Sequence, residues 1–493
     1  MVAMRYRRVF LVLIFFSLVS SWGNAQDEIV IASNPGIESE LSIAINPNES
    51  SQLVATSMRS FSPIQIFHSE DAGLSWQASS FNDGLADPVL TYGDNGTAYI
   101  TYLDFGGGLE LLLGTSTDNG ANWTTQQLTL DGLPADRQWI RRDNSPGSPF
   151  YGNTYIGYFH PSGGFDIHIV KIAPDGTVGT NHSVQSTNYP FVQNVTLDVN
   201  GNGDVLVCFL SQHADDSFNI MSVSSVDGSE NFSTETLVAP IYMYDTNGNP
   251  LSDVVGFAPG PASRLGNSLQ MAIDKSDGPH AGRVYLTWTD FVAGNPSEGM
   301  NIYLSHSDDN GFNWSTPKLV NDDGVASSHQ YYSAITVNSN GVLVLSWYDR
   351  RADPVNDAIT DFYMTYSLDG GASFANSKKL NSASSDHAAV TTGQTTFGVG
   401  EYTSVAASKE FAFAVWADGR GNNGDMDVYL GRVKLPESFV IGDVNGDGNV
   451  DLLDVAPFVE LLGSGKFNAA ADINGDGNVD LLDVAPFVSL LGN

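Results

Sequence analysis

The stretch Ser69-Glu70-Asp71-Ala72-Gly73-Leu74-Ser75-Trp76 follows an alternating run, Ile64-Gln65-Ile66-Phe67, and has the chemistry of a tight reversal. Serine and aspartate side chains bond the backbone N–H groups of a turn, glycine supplies positive φ, and a terminal aromatic covers the turn from the next strand. The pattern returns as Ser116-Thr117-Asp118-Asn119-Gly120-Ala121-Asn122-Trp123 and Ser307-Asp308-Asp309-Asn310-Gly311-Phe312-Asn313-Trp314. Looser copies are Ser367-Leu368-Asp369-Gly370-Gly371-Ala372-Ser373-Phe374 and Ser225-Val226-Asp227-Gly228-Ser229-Glu230-Asn231-Phe232, the last with Ser229 where the others have glycine. Each copy follows a β-patterned run such as Asp361-Phe362-Tyr363-Met364-Thr365-Tyr366, so the octamer closes a hairpin and its first explanation is structural.

Working outward, a second periodic feature precedes each octamer. β-rich runs end at Thr56-Ser57-Met58-Arg59, Thr101-Tyr102-Leu103-Asp104, Gly157-Tyr158-Phe159-His160, Cys208-Phe209-Leu210-Ser211, Thr287-Trp288-Thr289-Asp290, Trp347-Tyr348-Asp349-Arg350 and Trp416-Ala417-Asp418. A reversal rich in Asn, Gly, Asp or Ser stands before each run, as at Gly93-Asp94-Asn95-Gly96. The count is seven units of roughly 40 to 60 residues, each reading strand-turn-strand-loop-strand-turn-strand, or six if one unit has been split in two. That arithmetic gives an all-β chain built as a β-propeller. The last unit stops after its third strand, near Asp427-Val428-Tyr429-Leu430, and the isolated strand Glu28-Ile29-Val30-Ile31-Ala32 is expected to supply its fourth and close the ring.

The octamers resemble the Asp-box, or BNR, repeats of the sialidase superfamily, and the resemblance covers residues 26–435. It implies the propeller fold. If the protein is an exo-α-sialidase-type glycoside hydrolase, the resemblance also implies an arginine triad, a tyrosine nucleophile paired with a glutamate, and an aspartate acid/base. The substrate carboxylate calls for bidentate guanidinium groups. With the octamers on one face, the loops after the second strands lie on the other. Arg59, Arg350, Arg351 and Arg420 fall in those loops, and Arg264, before a first strand, faces the same way. Glu401-Tyr402-Thr403-Ser404 resembles the nucleophile segment, which makes Tyr402 the nucleophile, with Asp104 or Asp87 as acid/base. Glu401 adjoins Tyr402 and so points to the opposite face of the strand. The early Arg-Ile-Pro segment of sialidases is missing, since Arg59 is followed by Ser60-Phe61. Asp136-Arg137-Gln138-Trp139-Ile140 and Pro149-Phe150-Tyr151-Gly152 are expected at the central mouth or between blades. The histidines lack zinc-ligand spacing.

A different repeat, present twice, stands at the C-terminus. Residues 443–454 and 472–483 read Asp-Val/Ile-Asn-Gly-Asp-Gly-Asn-Val-Asp-Leu-Leu-Asp, offset by 29 residues. A 12-residue loop offers calcium hard oxygens from positions 1, 3, 5, 7, 9 and 12. In the first loop these are Asp443, Asn445, Asp447, the Asn449 carbonyl, Asp451 and Asp454; in the second, Asp472, Asn474, Asp476, the Asn478 carbonyl, Asp480 and Asp483. Gly448 and Gly477 occupy the sharp turn, and the expectation is two calcium ions. Each loop is followed by Val-Ala-Pro-Phe-Val and a Leu-Leu-Gly ending, a short helix with proline in its first turn, closing at Gly463 and Gly492. Aspartate rather than glutamate at position 12, with the duplication, resembles a type I dockerin over 441–493. The resemblance implies a cohesin-like partner, contacted at Leu452-Leu453 and Leu481-Leu482.

Residues 1–25 carry Arg5, Arg7 and Arg8 before an apolar run, Val9 to Trp22, and then Gly23-Asn24-Ala25. That is the pattern of a cleaved secretory signal, too short for an anchor, so a secreted or extracellular protein without a transmembrane anchor is expected. The formal charge is −35, and the signal would remove three arginines and no acid. Such a surface repels polyphosphate and argues against nucleic acid as a partner. The single cysteine, Cys208, allows no intrachain disulfide and reads as a buried apolar group. Three functions remain open: a calcium-binding propeller that recognises glycans or proteins outside the cell, an active sialidase-like glycosidase, and a purely structural part of an extracellular assembly.

Overall fold

A computed structural model gives the three-dimensional structure, and it describes residues 26–491 except 60–61, 107–108, 129, 131–133, 162–164, 245–267, 293–294, 296–297, 325–326, 392–401, 422–423, 437–440, 446–448, 463–467, 469 and 475–477. The signal segment, Arg264, Glu401, Asp447, Asp476 and the glycines expected to end the C-terminal helices lie outside the described residues. The described residues fall into two compact units, one ending at Pro436 and one after it.

In the first unit the described strands form seven antiparallel sheets, six with their strands in chain order and the seventh completed by the N-terminal strand, so the count is seven blades and not six. Blade 1 runs Glu38–Ile45, Leu53–Arg59, Ser62–Ser69 and Gln77–Ala78. Blade 7 has only Ser404–Ala407, Phe411–Asp418 and Asp427–Lys434 from its own stretch; the N-terminal strand Gln26–Ala32 pairs antiparallel with Asp427–Lys434 and completes it. The first strands of successive blades touch one another around the whole ring, including blade 7 with blade 1, so they line the axis.

Burial follows from that arrangement. Second strands such as Thr154–His160, Val284–Asp290 and Leu343–Asp349 are covered on both faces by neighbouring blades and are buried along their whole length. That is why they read as nearly continuous apolar runs rather than as alternation. The outermost strand Thr124–Gln127 is fully exposed. Trp288, Trp347 and Trp416 sit completely buried in three consecutive second strands. Cys208 is buried, and burial pushes its thiol pKa up.

All five octamers take one structure. In blade 1 Ser69 Oγ donates to Asp71 Oδ1 at 2.9 Å and accepts from Gly73 N at 2.9 Å, while Asp71 accepts from Ser75 N at 2.9 Å. Trp76 folds back so that its Nε1 donates to Gly73 O at 3.0 Å. Gly73, Gly120, Gly311 and Gly371 have φ between +80° and +86°, and Ser229 adopts the same region at +70°. The serine hydroxyl and aspartate carboxylate thus capture the N–H groups that the reversal leaves unpaired, each bond worth about 1 kcal/mol net.

The second unit is small and built from its repeat. Val455–Leu461 and Val484–Leu490 are helices that begin directly after Asp454 and Asp483. Phe458 and Phe487 stack at 4.1 Å between ring centroids, with Val444 and Ala471 completing the buried core.

Candidate functional site

Strand polarity puts the octamers on one face of the propeller and the starts of the first strands, with the ends of the second, on the other. On that second face the structure shows a feature without a sequence signature. Glu40, Asp87, Arg137, Asn194, Ser268 and Tyr332, near the starts of six first strands, all have φ between +47° and +56°. In five of these blades the ladder slips register at the same point, as between Ser39 and Ser42 or Asp136 and Trp139. Left-handed non-glycine residues are uncommon and costly, and a ring of them at one level is a built feature. The residues share position but not type, so no motif marks them.

The bulges stitch neighbouring blades. Asp87 N donates to Glu40 Oε2 at 3.3 Å, and Arg137 N donates to Asp87 Oδ2 at 3.1 Å. Tyr402, at the corresponding place in blade 7, donates its hydroxyl to Asp87 Oδ1 at 3.4 Å, and the Arg137 guanidinium lies 5.9 Å from its ring centroid. Tyr402 and Asp87 therefore meet at the axial mouth, and Tyr402 with Arg137, Gln138, Trp139, Asn194 and Ser268 lines a narrow cavity there.

The other sequence candidates lie elsewhere. Arg59 donates from Nε and Nη2 to Pro35 O at 3.2 and 2.8 Å. Asp104 accepts from the next backbone N–H, Phe105 N, at 2.8 Å. Arg350 is fully buried; it donates to Thr360 Oγ1 at 3.1 Å, to Tyr331 Oη at 3.3 Å and to Asp357 Oδ2 at 3.1 Å. Burial pushes the Asp357 carboxyl up to about 6 against the pull of Arg350, and burial with the Arg350 charge pushes His329 down to about 4.

Arg351 and Arg420 belong to a repeated clamp. Trp347 Nε1 donates to Asp349 Oδ2 at 2.9 Å; Arg351 pairs with the same carboxylate at 2.7 Å and lies 4.2 Å over the Tyr363 ring. Blade 7 repeats this with Trp416, Asp418 and Arg420 over Tyr429, at 2.9, 2.7 and 3.9 Å. Blade 5 has Trp288 and Asp290 but Val292 in the arginine place. There Asp290 accepts from Tyr242 N and Phe291 N, and burial raises its carboxyl to about 8. The spacing Trp-x-Asp-x-Arg was visible in sequence; that it spends each guanidinium inside its own blade was not. Pro149–Gly152 joins the first and second strands of blade 3 and so lies on the octamer face, where a Cβ on Gly228 would meet Phe150 at 2.7 Å.

In the C-terminal unit Asp454 is wholly buried. Its Oδ1 accepts from Val444 N and Asn445 N at 2.7 and 2.9 Å, and its Oδ2 from Asp451 N at 2.9 Å. Asp483 does the same with Asn474 N and Asp480 N, both at 3.0 Å. The last aspartate thus draws the loop closed around its first residues, Asp443 and Asp472, themselves buried. Neither Asp454 nor Asp483 meets a basic side chain among the described residues, and buried carboxylates of this kind are paired or coordinate metal. Hard oxygen donors at these positions fit calcium. No group of three or more His, Cys, Asp or Glu among the described residues is arranged to hold a metal, but Asp447 and Asp476 lie outside them.

Residues 441–486 match the family described as dockerin type I domain. No curated protein matches the chain. Solved structures similar to it include an ulvan lyase of a polysaccharide lyase family, 10% identical over 82% of this chain and 95% of that one with a TM-score of 0.49. A Hadza microbial sialidase is 14% identical over 79% and 75%, with a TM-score of 0.43. An α-L-arabinanase of Penicillium chrysogenum, complexed with arabinobiose, is 14% identical over 65% and 92%, with a TM-score of 0.44. Likenesses this distant carry nothing about activity. The protein is an all-β seven-bladed propeller followed by a type I dockerin domain. Domains of that family bind calcium and cohesins and are typical of extracellular proteins. No helix of the described residues is long and apolar enough to cross a membrane.

Proposed function

We propose that this is a secreted component of an extracellular assembly, attached through a cohesin-like partner by residues 441–493 and presenting the axial mouth of its propeller (26–435) to a glycan. Residues 1–25 direct export, and the two C-terminal loops hold two calcium ions through the twelve ligands named from the sequence. The observation that carries attachment is the dockerin match together with its exposed leucines. Leu452 and Leu481 are each 79% exposed and Leu453 and Leu482 each 66%, the same apolar pair offered twice. Apolar pairs left in solvent at equivalent places of a duplicated unit favour a protein partner.

A second reading, glycosidase activity, draws on the contact of Tyr402 with Asp87. Against it stand Arg59, Arg350, Arg351 and Arg420, whose guanidinium groups are taken up by protein acceptors. Two assays separate these readings: capture of the full chain on immobilised type I cohesins with calcium and with chelator, and release of sialic acid from a reporter glycoside. Calcium-dependent capture without turnover supports the first reading. Turnover lost in Tyr402→Phe supports the second.

A further inference from the structure

Removal of residues 1–25 on export would leave Gln26 as the first residue. Resting on that export reading, we propose that Gln26 is a modification site shielded by the fold, cyclising to pyroglutamate only while the strand that closes the propeller is undocked. An N-terminal glutamine can lose ammonia without any other reactant. Its α-amino nitrogen attacks its own Cδ, the Cδ–Nε2 bond breaks, and a proton passes from the amine to the departing nitrogen. Nothing is oxidised or reduced, and the product is a lactam.

Gln26 is built into the sheet. It opens the strand Gln26–Ala32 and pairs with Val433 of the neighbouring strand in blade 7. Its Nε2, the atom that cyclisation expels, donates to Leu380 O at 2.8 Å and to Lys379 O at 3.3 Å. The acceptor is itself fixed, since Leu380 N donates to Phe362 O at 2.8 Å. The next two residues pin the strand. Asp27 pairs with Arg432 at 2.7 Å and Glu28 with Arg420 at 2.5 Å, while Ser382 N donates to Glu28 Oε1 at 3.1 Å. A strand side chain stands off its own backbone. Curling Cδ onto the α-nitrogen withdraws Nε2 from both carbonyls, so the docked strand must let go first. Cyclisation in turn deletes that donor from the closed ring, and so marks chains in which blade 7 has been open.

The test uses the exported full chain collected from the medium. Its N-terminal peptide is followed by mass spectrometry during incubation, beside the free peptide of residues 26–32 and the same chain in guanidinium chloride. The expected chain starts at Gln26 with its amide intact. It loses ammonia at least about tenfold more slowly than the peptide while folded, and at the peptide's rate once unfolded. Asp27→Asn with Glu28→Gln removes both ion pairs and should bring the folded chain towards the rate of its own matching peptide. The denaturant arm carries the test if that variant does not fold. A folded chain that cyclises as fast as the peptide overturns the shielding while the export boundary stands. A first residue other than Gln26 overturns the boundary and the site together.

Discussion

Arg350 Nη1 lies 3.1 Å from Asp357 Oδ2 beneath the propeller surface, with no part of the arginine open to solvent. His329 approaches the same carboxylate oxygen at 3.5 Å, and Tyr331 Oη bridges from the arginine to His387 Nδ1 at 2.8 Å. A residue placed by its loop among substrate-binding candidates is thus the cation of a buried structural network. Arg350→Ala leaves Asp357 buried without its countercharge and is expected to cost about 3–5 kcal/mol of stability. Denaturant unfolding measures it. A variant of unchanged stability that loses only ligand binding would return Arg350 to the site.

Ser229 pays a steric cost that the four glycines at its place do not. At φ +70° a residue with a Cβ is strained, and the Ser229 hydroxyl is buried without a partner among the described residues. Ser229→Gly removes both and is expected to stabilise by about 1 kcal/mol, while Gly311→Ala, at φ +81°, should destabilise by about as much. Melting curves of the two variants should move in opposite directions.

Glu38 is buried where blade 1 meets blade 7. Its Oε1 accepts from Asn34 Nδ2 at 2.9 Å, its Oε2 has no partner among the described residues, and its own N–H donates to Met426 O at 3.1 Å. Burial, with Asp427 and Asp425 adding and Asn34 and Arg59 opposing, raises its carboxyl from 4.5 to about 7. A group whose folded pKa is raised holds its proton more tightly when folded. Its contribution is complete below 4.5 and is lost as pH rises through about 7. Asp290, raised to about 8, acts in the same direction. Stability measured at pH 5.5 and 8 should therefore fall less in Glu38→Gln than in the native chain; an equal fall would show that Glu38 does not titrate in this window.

Leu452, Leu453, Leu481 and Leu482 are exposed and belong to no core cluster among the described residues. Replacing all four with serine should abolish cohesin capture without lowering the melting temperature. Retained capture would place the contact elsewhere.

The octamer turns were legible because their chemistry is local: serine, aspartate and glycine satisfy the reversal within eight residues. Closure by the N-terminal strand was legible as a deficit, since blade 7 lacked a partner for Asp427–Lys434. The roles of Arg350, Arg351 and Arg420 were not, because a loop arginine reads alike whether it faces ligand or folds back on Asp349 or Asp418. The ring of bulges was invisible for a different reason. Glu40, Asp87, Arg137, Asn194, Ser268 and Tyr332 have nothing in common but their place where the strands converge on the axis. Tyr402 was singled out by resemblance and Asp87 as one of two acid/base alternatives, but their contact at 3.4 Å was not legible in the sequence.

The proposed attachment through the C-terminal domain depends on calcium capture by residues 443–454 and 472–483. Calorimetric titration of the full chain, and of the chain ended at Pro436, tests it most directly. Heat corresponding to about two ions per chain, absent after truncation and after Asp454→Ala with Asp483→Ala, is the expected result. No heat with the full chain, or undiminished calcium uptake by the truncated one, would contradict it.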